Sequence, residues 1–241
     1  SEKLIIARRL EIRGSRKSWP ILLSQGRITP TGPIVEVRAE GVSLRRIAIV
    51  NRDPREHTPS CMHFRAPATV GAVLISGADA LGMSGEAQVR VEVMDSFIFP
   101  TINGNNWSPS LRNCILFSGA TFINPSDVQK CLILQSAHLS YSQHSIRDSI
   151  LFEVVIDVGV RYEIENCVFM KPGIPAEAKN CFFANPMLRD PANRDYRLMP
   201  GSPCIGKASD GGDIGVRYTP EMVEMAQLAL EIRRRFPPPN L

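Results

Sequence analysis

The sequence predicts an all-β chain, a right-handed parallel β-helix closed by a C-terminal capping α-helix. Three observations predict it: a column of similar segments recurring at short intervals, period-two alternation ahead of those segments, and an amphipathic stretch after the repeats stop.

The column is read from Asp95-Ser96-Phe97-Ile98-Phe99, Asn113-Cys114-Ile115-Leu116-Phe117, Lys130-Cys131-Leu132-Ile133-Leu134, Asp148-Ser149-Ile150-Leu151-Phe152, Asn166-Cys167-Val168-Phe169-Met170 and Asn180-Cys181-Phe182-Phe183-Ala184. Each segment is a polar residue, then Cys or Ser, then three mostly apolar residues, and successive segments start 18, 17, 18, 18 and 14 residues apart. That period is too short for a pair of helices. Short strands of this kind bury their apolar side only when the next turn stacks on them at ~4.8 Å, as in a solenoid. Ahead of the column, Val89-Arg90-Val91-Glu92-Val93 and Tyr162-Glu163-Ile164 alternate apolar and polar, the pattern of a half-buried strand.

The same grammar, less regular, is found in Leu10-Glu11-Ile12 and across Val42 to Val50, so the solenoid is expected to start near residue 3. Asn51 to Ala68 is polar and proline-bearing, and reads as a loop projecting from one corner. A left-handed β-helix also has coils of about 18 residues. Its rhythm of an aliphatic residue followed by Gly is missing here, and the turns vary in length, which favours the right-handed form. The chain thus divides into a β-helix over residues 1–217 and a capping helix with a tail over 218–241.

After Ala184 the pattern changes to Asn185-Pro186-Met187-Leu188-Arg189-Asp190-Pro191, then Asp195-Tyr196-Arg197-Leu198-Met199-Pro200-Gly201-Ser202-Pro203-Cys204-Ile205-Gly206, then Gly211-Gly212-Asp213-Ile214-Gly215. This succession, from about 180 to 217, closely resembles the closing segment of many bacterial right-handed β-helix proteins of the pectin-lyase-like superfamily. The opening run from Glu2 to Gly14 resembles early coils of that superfamily more weakly. The resemblance implies a bacterial, exported or cell-envelope setting and a chain that is part of a longer polypeptide.

In the last segment Thr219 can cap a helix, Pro220 occupies its first turn, and Glu221 and Glu224 suit the positive end of its dipole. Met222, Met225, Ala226, Leu228, Ala229 and Ile232 form an apolar stripe, read as a lid on the open last coil, and Pro237-Pro238-Pro239 ends it.

Composition narrows the function. Lys and Arg number 28 against 24 Asp and Glu, a net charge of +4, without the dense basic stripe of a nucleic-acid-binding protein. No run approaches the ~18 to 20 apolar residues that span a bilayer. The six cysteines include no CxxC pair and no Cys/His spacing suited to zinc. Four of them fall in the repeat column, where small inward residues are core packing, so free thiols and no metal or cofactor are expected. Asn113, Asn166 and Asn180, in register with Asp95 and Asp148, are expected to form a polar ladder at the turns. His57 and His63 flank Cys61 in the projecting loop and read as surface.

Catalysis has no visible motif. Lyases on this fold need clustered acids for calcium with an Arg or Lys base, and hydrolases need paired carboxylates. Glu92, Glu153, Asp157 and Glu163 look scattered, and no catalytic residue is assigned. The leading expectation is a non-catalytic module that binds a polysaccharide or serves as a rigid interaction element. A polysaccharide lyase or esterase with a site on the groove, and a subunit of a larger assembly partnered by another protein, are the alternatives. Candidate ligand contacts are Arg45 and Arg65, since guanidinium pairs with acidic sugars, and Trp107 and Tyr141, whose rings stack on pyranose faces.

Overall fold

The computed structural model describes residues 4–15, 18–24, 33–51, 61–77, 83–86, 88–99, 102–104 and 107–235. Among these residues twenty-one strands join one large sheet, in which each strand pairs in parallel with its equivalent one repeat later. The pairings form three ladders, an arrangement compatible with a coiled solenoid. One helix, Pro220–Arg235, follows near the C-terminus.

The first ladder holds the repeat column. Its register runs Ile21, Ala48, Leu74, Phe97, Ile115, Leu132, Ile150, Val168, Phe182. These side chains and the alternate ones beside them belong to two different cores. Ile49, Ile75, Ile98, Leu116, Ile133, Leu151 and Phe169 join the main interior. Ala48, Leu74, Phe97, Ile115, Leu132, Ile150 and Val168 pack instead against Tyr196, Cys204, Ile214, Met222, Met225, Ala229 and Ile232 of the C-terminal segment. A strand buried on both faces must be apolar at consecutive positions, which explains the run of three apolar residues in each repeat.

Each repeat turns into this ladder through one residue at positive φ: Arg46, Ala72, Asp95, Asn113, Lys130, Asp148, Asn166 and Asn180, all between 49° and 55°. Asn and Asp tolerate this left-handed conformation best among residues with side chains, hence their recurrence. From Asp95 onward the next residue is Ser or Cys, whose short side chain donates back to the carbonyl two positions earlier, while Arg46 and Ala72 are followed by Ile47 and Val73. Ser96 Oγ reaches Met94 O at 2.6 Å, Cys114 Sγ reaches Arg112 O at 3.3 Å, and Ser149 Oγ reaches Arg147 O at 2.8 Å. The hydroxyls of Ser96 and Ser149 also accept the N–H of Val73 and Cys131 on the preceding rung. All six cysteines are free thiols, and Cys114, Cys131 and Cys167 are fully buried.

The turn side chains form a ladder in position but bond mainly to the C-terminal segment. Of the expected amide contacts, Asn113 Nδ2 donates to Asp95 Oδ1 at 2.7 Å. Otherwise Asp148 accepts from Ser209 N and Oγ, Lys130 pairs with Asp210, Asn113 pairs with Arg217, and Arg46 pairs with Glu221 and Glu224. The segment therefore runs back along the first ladder from late repeats to early ones.

Three expectations change. The helix lies on the flank of the early repeats, touching Arg46 and the strand Ala68–Gly77, and does not cover the last coil. Its stripe of Met222, Met225, Ala229 and Ile232 is buried there because the outer face of the first ladder is apolar. Phe183, on the last repeat, is correspondingly 55% exposed. The stretch from Asn51 to Ala68 contains a strand, Met62–Phe64, that pairs with Val35–Val37 and Met83–Gly85; residues 52–60, with His57, lie outside the described residues. Trp107 opens the strand Trp107–Arg112 and is fully buried, its ring 5.7 Å from that of Phe64. Gly85 makes the room, since a Cβ there would lie 2.7 Å from the Trp107 Cβ.

Candidate functional site

The third ladder presents the most continuous polar face. Val89–Met94, Trp107–Arg112, Ser126–Gln129, Gln143–Arg147 and Arg161–Glu165 stack in register, with one side buried. On the other side, one column reads Glu92, Ser110, Asp127, Ser145, Glu163 and the next Met94, Arg112, Gln129, Arg147, Glu165. Upstream, Ser43 and Thr69 precede Glu92, and Arg45 and Gly71 precede Met94, in the same columns. The first column thus offers a carboxylate or a hydroxyl on every rung, ~4.8 Å apart, and the second carries guanidiniums at Arg45, Arg112 and Arg147, the last two on alternate rungs.

A groove of about 290 Å³ opens on this face, lined by Arg90, Glu92, Ser108, Ser110, Arg112 and Asp127 with Pro109, Pro125 and Ser126. That is the small end of the range for ligand sites. Asp127 at its edge sits 4.0 Å from Arg112 Nη2 and 3.4 Å from Arg147 Nη2. One repeat further, the Ser145 Oγ and Arg147 Nε are buried and have no hydrogen-bond partner in the protein. Buried polar atoms without partners are rare.

Glu92 and Asp127 stand side by side, two rungs or ~9.6 Å apart, on one face. That is the outer limit of the ~6.5–9.5 Å separation of the two carboxyl groups in an inverting glycosidase. Asp127 is moreover shared by two arginines.

The four candidate contacts separate. Arg45 lies on the third ladder, its guanidinium against Gly71, where an added Cβ would meet Nε at 3.3 Å. Tyr141 is 85% exposed in the turn leading into Gln143–Arg147, at the entry edge of that ladder. Arg65 is on neither; it pairs with Glu36 and Glu86, and the Glu36 bond above all raises its pKa. Trp107 faces the core and has no ring surface to offer a sugar.

Elsewhere, polar side chains form local pairs on or beside the second ladder, which stacks Leu4–Ile6, Val35–Val37, Met62–Phe64, Met83–Gly85, Ile102–Gly104, Ala120–Phe122 and the later halves of Leu132–Leu139 and Ile150–Ile156. His63 Nδ1 and Ser84 Oγ are 2.9 Å apart. Asp157 is bonded by Ser140 Oγ at 2.5 Å and His138 Nε2 at 2.8 Å, which together hold its carboxyl below the usual range, Ser140 most. Glu153 is lowered similarly by Lys171 and then Ser136. His144 is a core residue, bonded to Ser126 Oγ at 2.9 Å and Ser140 O at 3.1 Å, and burial lowers its pKa. Among the described residues no group of three His, Cys, Asp or Glu is placed to hold a metal ion, and no helix is long and apolar enough to cross a membrane.

Sequence reasoning missed Ser110, Arg112, Asp127, Ser145 and Arg147. Their signal was present: positions 92, 110, 127, 145 and 163 follow the repeat period of 17 or 18 residues. Asp127 and the serines join Glu92 and Glu163, which looked scattered because the intervening rungs carry hydroxyls.

No protein-family model matches the chain, and no curated protein is similar to it.

Proposed function

We propose that the three ladders are the faces of a right-handed parallel β-helix, and that the chain is a non-catalytic module of an exported or envelope protein which binds a polysaccharide along the third ladder. The observation that carries this reading is the in-register polar column from Glu92 to Glu163 with its groove. An extended chain of sugars offers hydroxyls at regular intervals. Carboxylates accept from them, guanidiniums donate to them, and serines do either. Tyr141 would stack on a ring at the entry edge, and Arg45 would meet a uronate on the upstream rungs.

A glycan array, run beside lyase and esterase assays with and without calcium, tests the reading. Retention on one class of polysaccharide without turnover is the expected result. Turnover would replace the module with an enzyme, and no retention on any glycan would leave an assembly role with a protein partner.

A further inference from the structure

Cys167 and Cys181 occupy equivalent positions on the last two rungs of the first ladder, one residue before the paired Val168 and Phe182. Their Cα atoms are thus about one strand spacing apart, ~4.8 Å, inside the range a disulfide spans. The Cys167 N–H donates to Cys181 Sγ at 3.4 Å. Cys181 is only half-buried, and Phe182–Phe183 pairs with Val168–Phe169 alone among the described residues, so no rung stacks beyond it. Every other cysteine has its side chain sealed in the fold at 0% exposure.

We propose that Cys181 and Cys167 are a reactive dithiol whose substrate class is small-molecule disulfides. The Cys181 thiolate attacks one sulfur of the disulfide, forms a mixed disulfide and releases the other half as a thiolate. Cys167 then gives up its proton to the solvent and attacks Cys181 Sγ. The mixed bond breaks, the second half leaves as a thiolate, and a Cys167–Cys181 disulfide remains. Two protein thiols are oxidised and one small disulfide is reduced to two thiols.

The environment orders these roles. Contact with the Cys167 side chain brings Cys181 down to about 7, against burial and the Glu165 charge, so it is the ionised attacker near neutral pH. Burial and the same contact push Cys167 well above its ordinary value, as suits the second, intramolecular step. Cys61 is pushed up to about 12 by burial, and Cys114 and Cys204 are also raised by burial. The pair Cys114 and Cys131 has the same spacing but lies between rungs, where neither a reagent nor a rearrangement can enter. The end rung carries no such constraint.

The test uses the native chain with 5,5′-dithiobis(2-nitrobenzoate) and, separately, oxidised glutathione at neutral pH. Two thiolates are expected per chain in sequence, with peptide mapping placing the new disulfide between residues 167 and 181. Cys167→Ser should release one and keep the reagent on Cys181; Cys181→Ser should slow the first release at least about tenfold. A stable mixed disulfide on wild-type Cys181 would overturn the resolving role. Equal modification of all six cysteines, or first modification elsewhere, would overturn the site. Mapping the wild-type products decides the matter even if a variant fails to fold.

Discussion

The side-chain amide of Asn113 closes a reciprocal pair of hydrogen bonds with the backbone of Arg217, accepting its N–H at 2.7 Å and donating to its carbonyl at 2.8 Å. One turn residue of the repeat thereby pins the segment that covers the first ladder. Asn113→Asp replaces the donor by an oxygen that faces both the Arg217 carbonyl and Asp95. A loss of about 1–3 kcal/mol is expected in urea unfolding. Asn113→Gly keeps the positive φ and loses both bonds; stability unchanged in both variants would mean that the segment is held elsewhere.

The helix Pro220–Arg235 buries its apolar stripe on the early repeats. Its deletion should speed amide hydrogen exchange in Val42–Asn51 and Ala68–Gly77 and increase binding of a hydrophobic dye. Exchange in Val168–Phe169 should stay slow. Acceleration confined to the last repeats would restore the lid on the open coil.

Two phenylalanines at related places in the repeat should respond differently. Phe117 stacks on Phe99 at 3.9 Å and meets Tyr196 edge-on, so Phe117→Ala is expected to cost about 3 kcal/mol. Phe183 is 55% exposed, and its truncation should cost under about 1 kcal/mol. Equal losses in denaturant titrations would contradict the flank burial of the first ladder.

Burial holds the His144 imidazole below its ordinary value of 6.5, so the folded chain keeps it neutral where the unfolded chain takes up a proton. Its contribution to stability is full above pH ~6.5 and is lost as the pH falls below that. Melting temperature should decline between about pH 7 and pH 5, and less steeply in His144→Gln. The carboxylates with depressed values, Asp157, Glu153, Asp195, Asp210 and Glu224, act at lower pH, and Cys181, lowered to about 7, acts mainly above this window. Parallel slopes in the two proteins would exclude His144 as the source.

The repeat column made the parallel ladder legible because consecutive apolar positions at a fixed short period admit few alternatives. The Cys/Ser position was legible as small and inward, while its hydrogen bond to the carbonyl two residues earlier required the turn geometry. The helix was legible and its location was not. An apolar stripe states how much surface is covered, not which, and the outer face of Leu74 and Phe97 competes with the open coil. Trp107 misled because an indole after a Gly/Asn stretch reads as a surface ring, when Gly85 on the adjacent rung had left a hole for it. The polar face was hidden by its mixed composition: a column of Glu, Ser and Asp has no single-residue signature.

Calorimetric titration of the best glycan from the array against wild type, Arg112→Ala and Ser110→Trp shows whether the groove on the third ladder holds the polysaccharide. The groove account predicts saturable binding that weakens at least about tenfold in Arg112→Ala, a loss of ~1.4 kcal/mol, and disappears when an indole fills the groove in Ser110→Trp. Binding of undiminished affinity in both folded variants would contradict it.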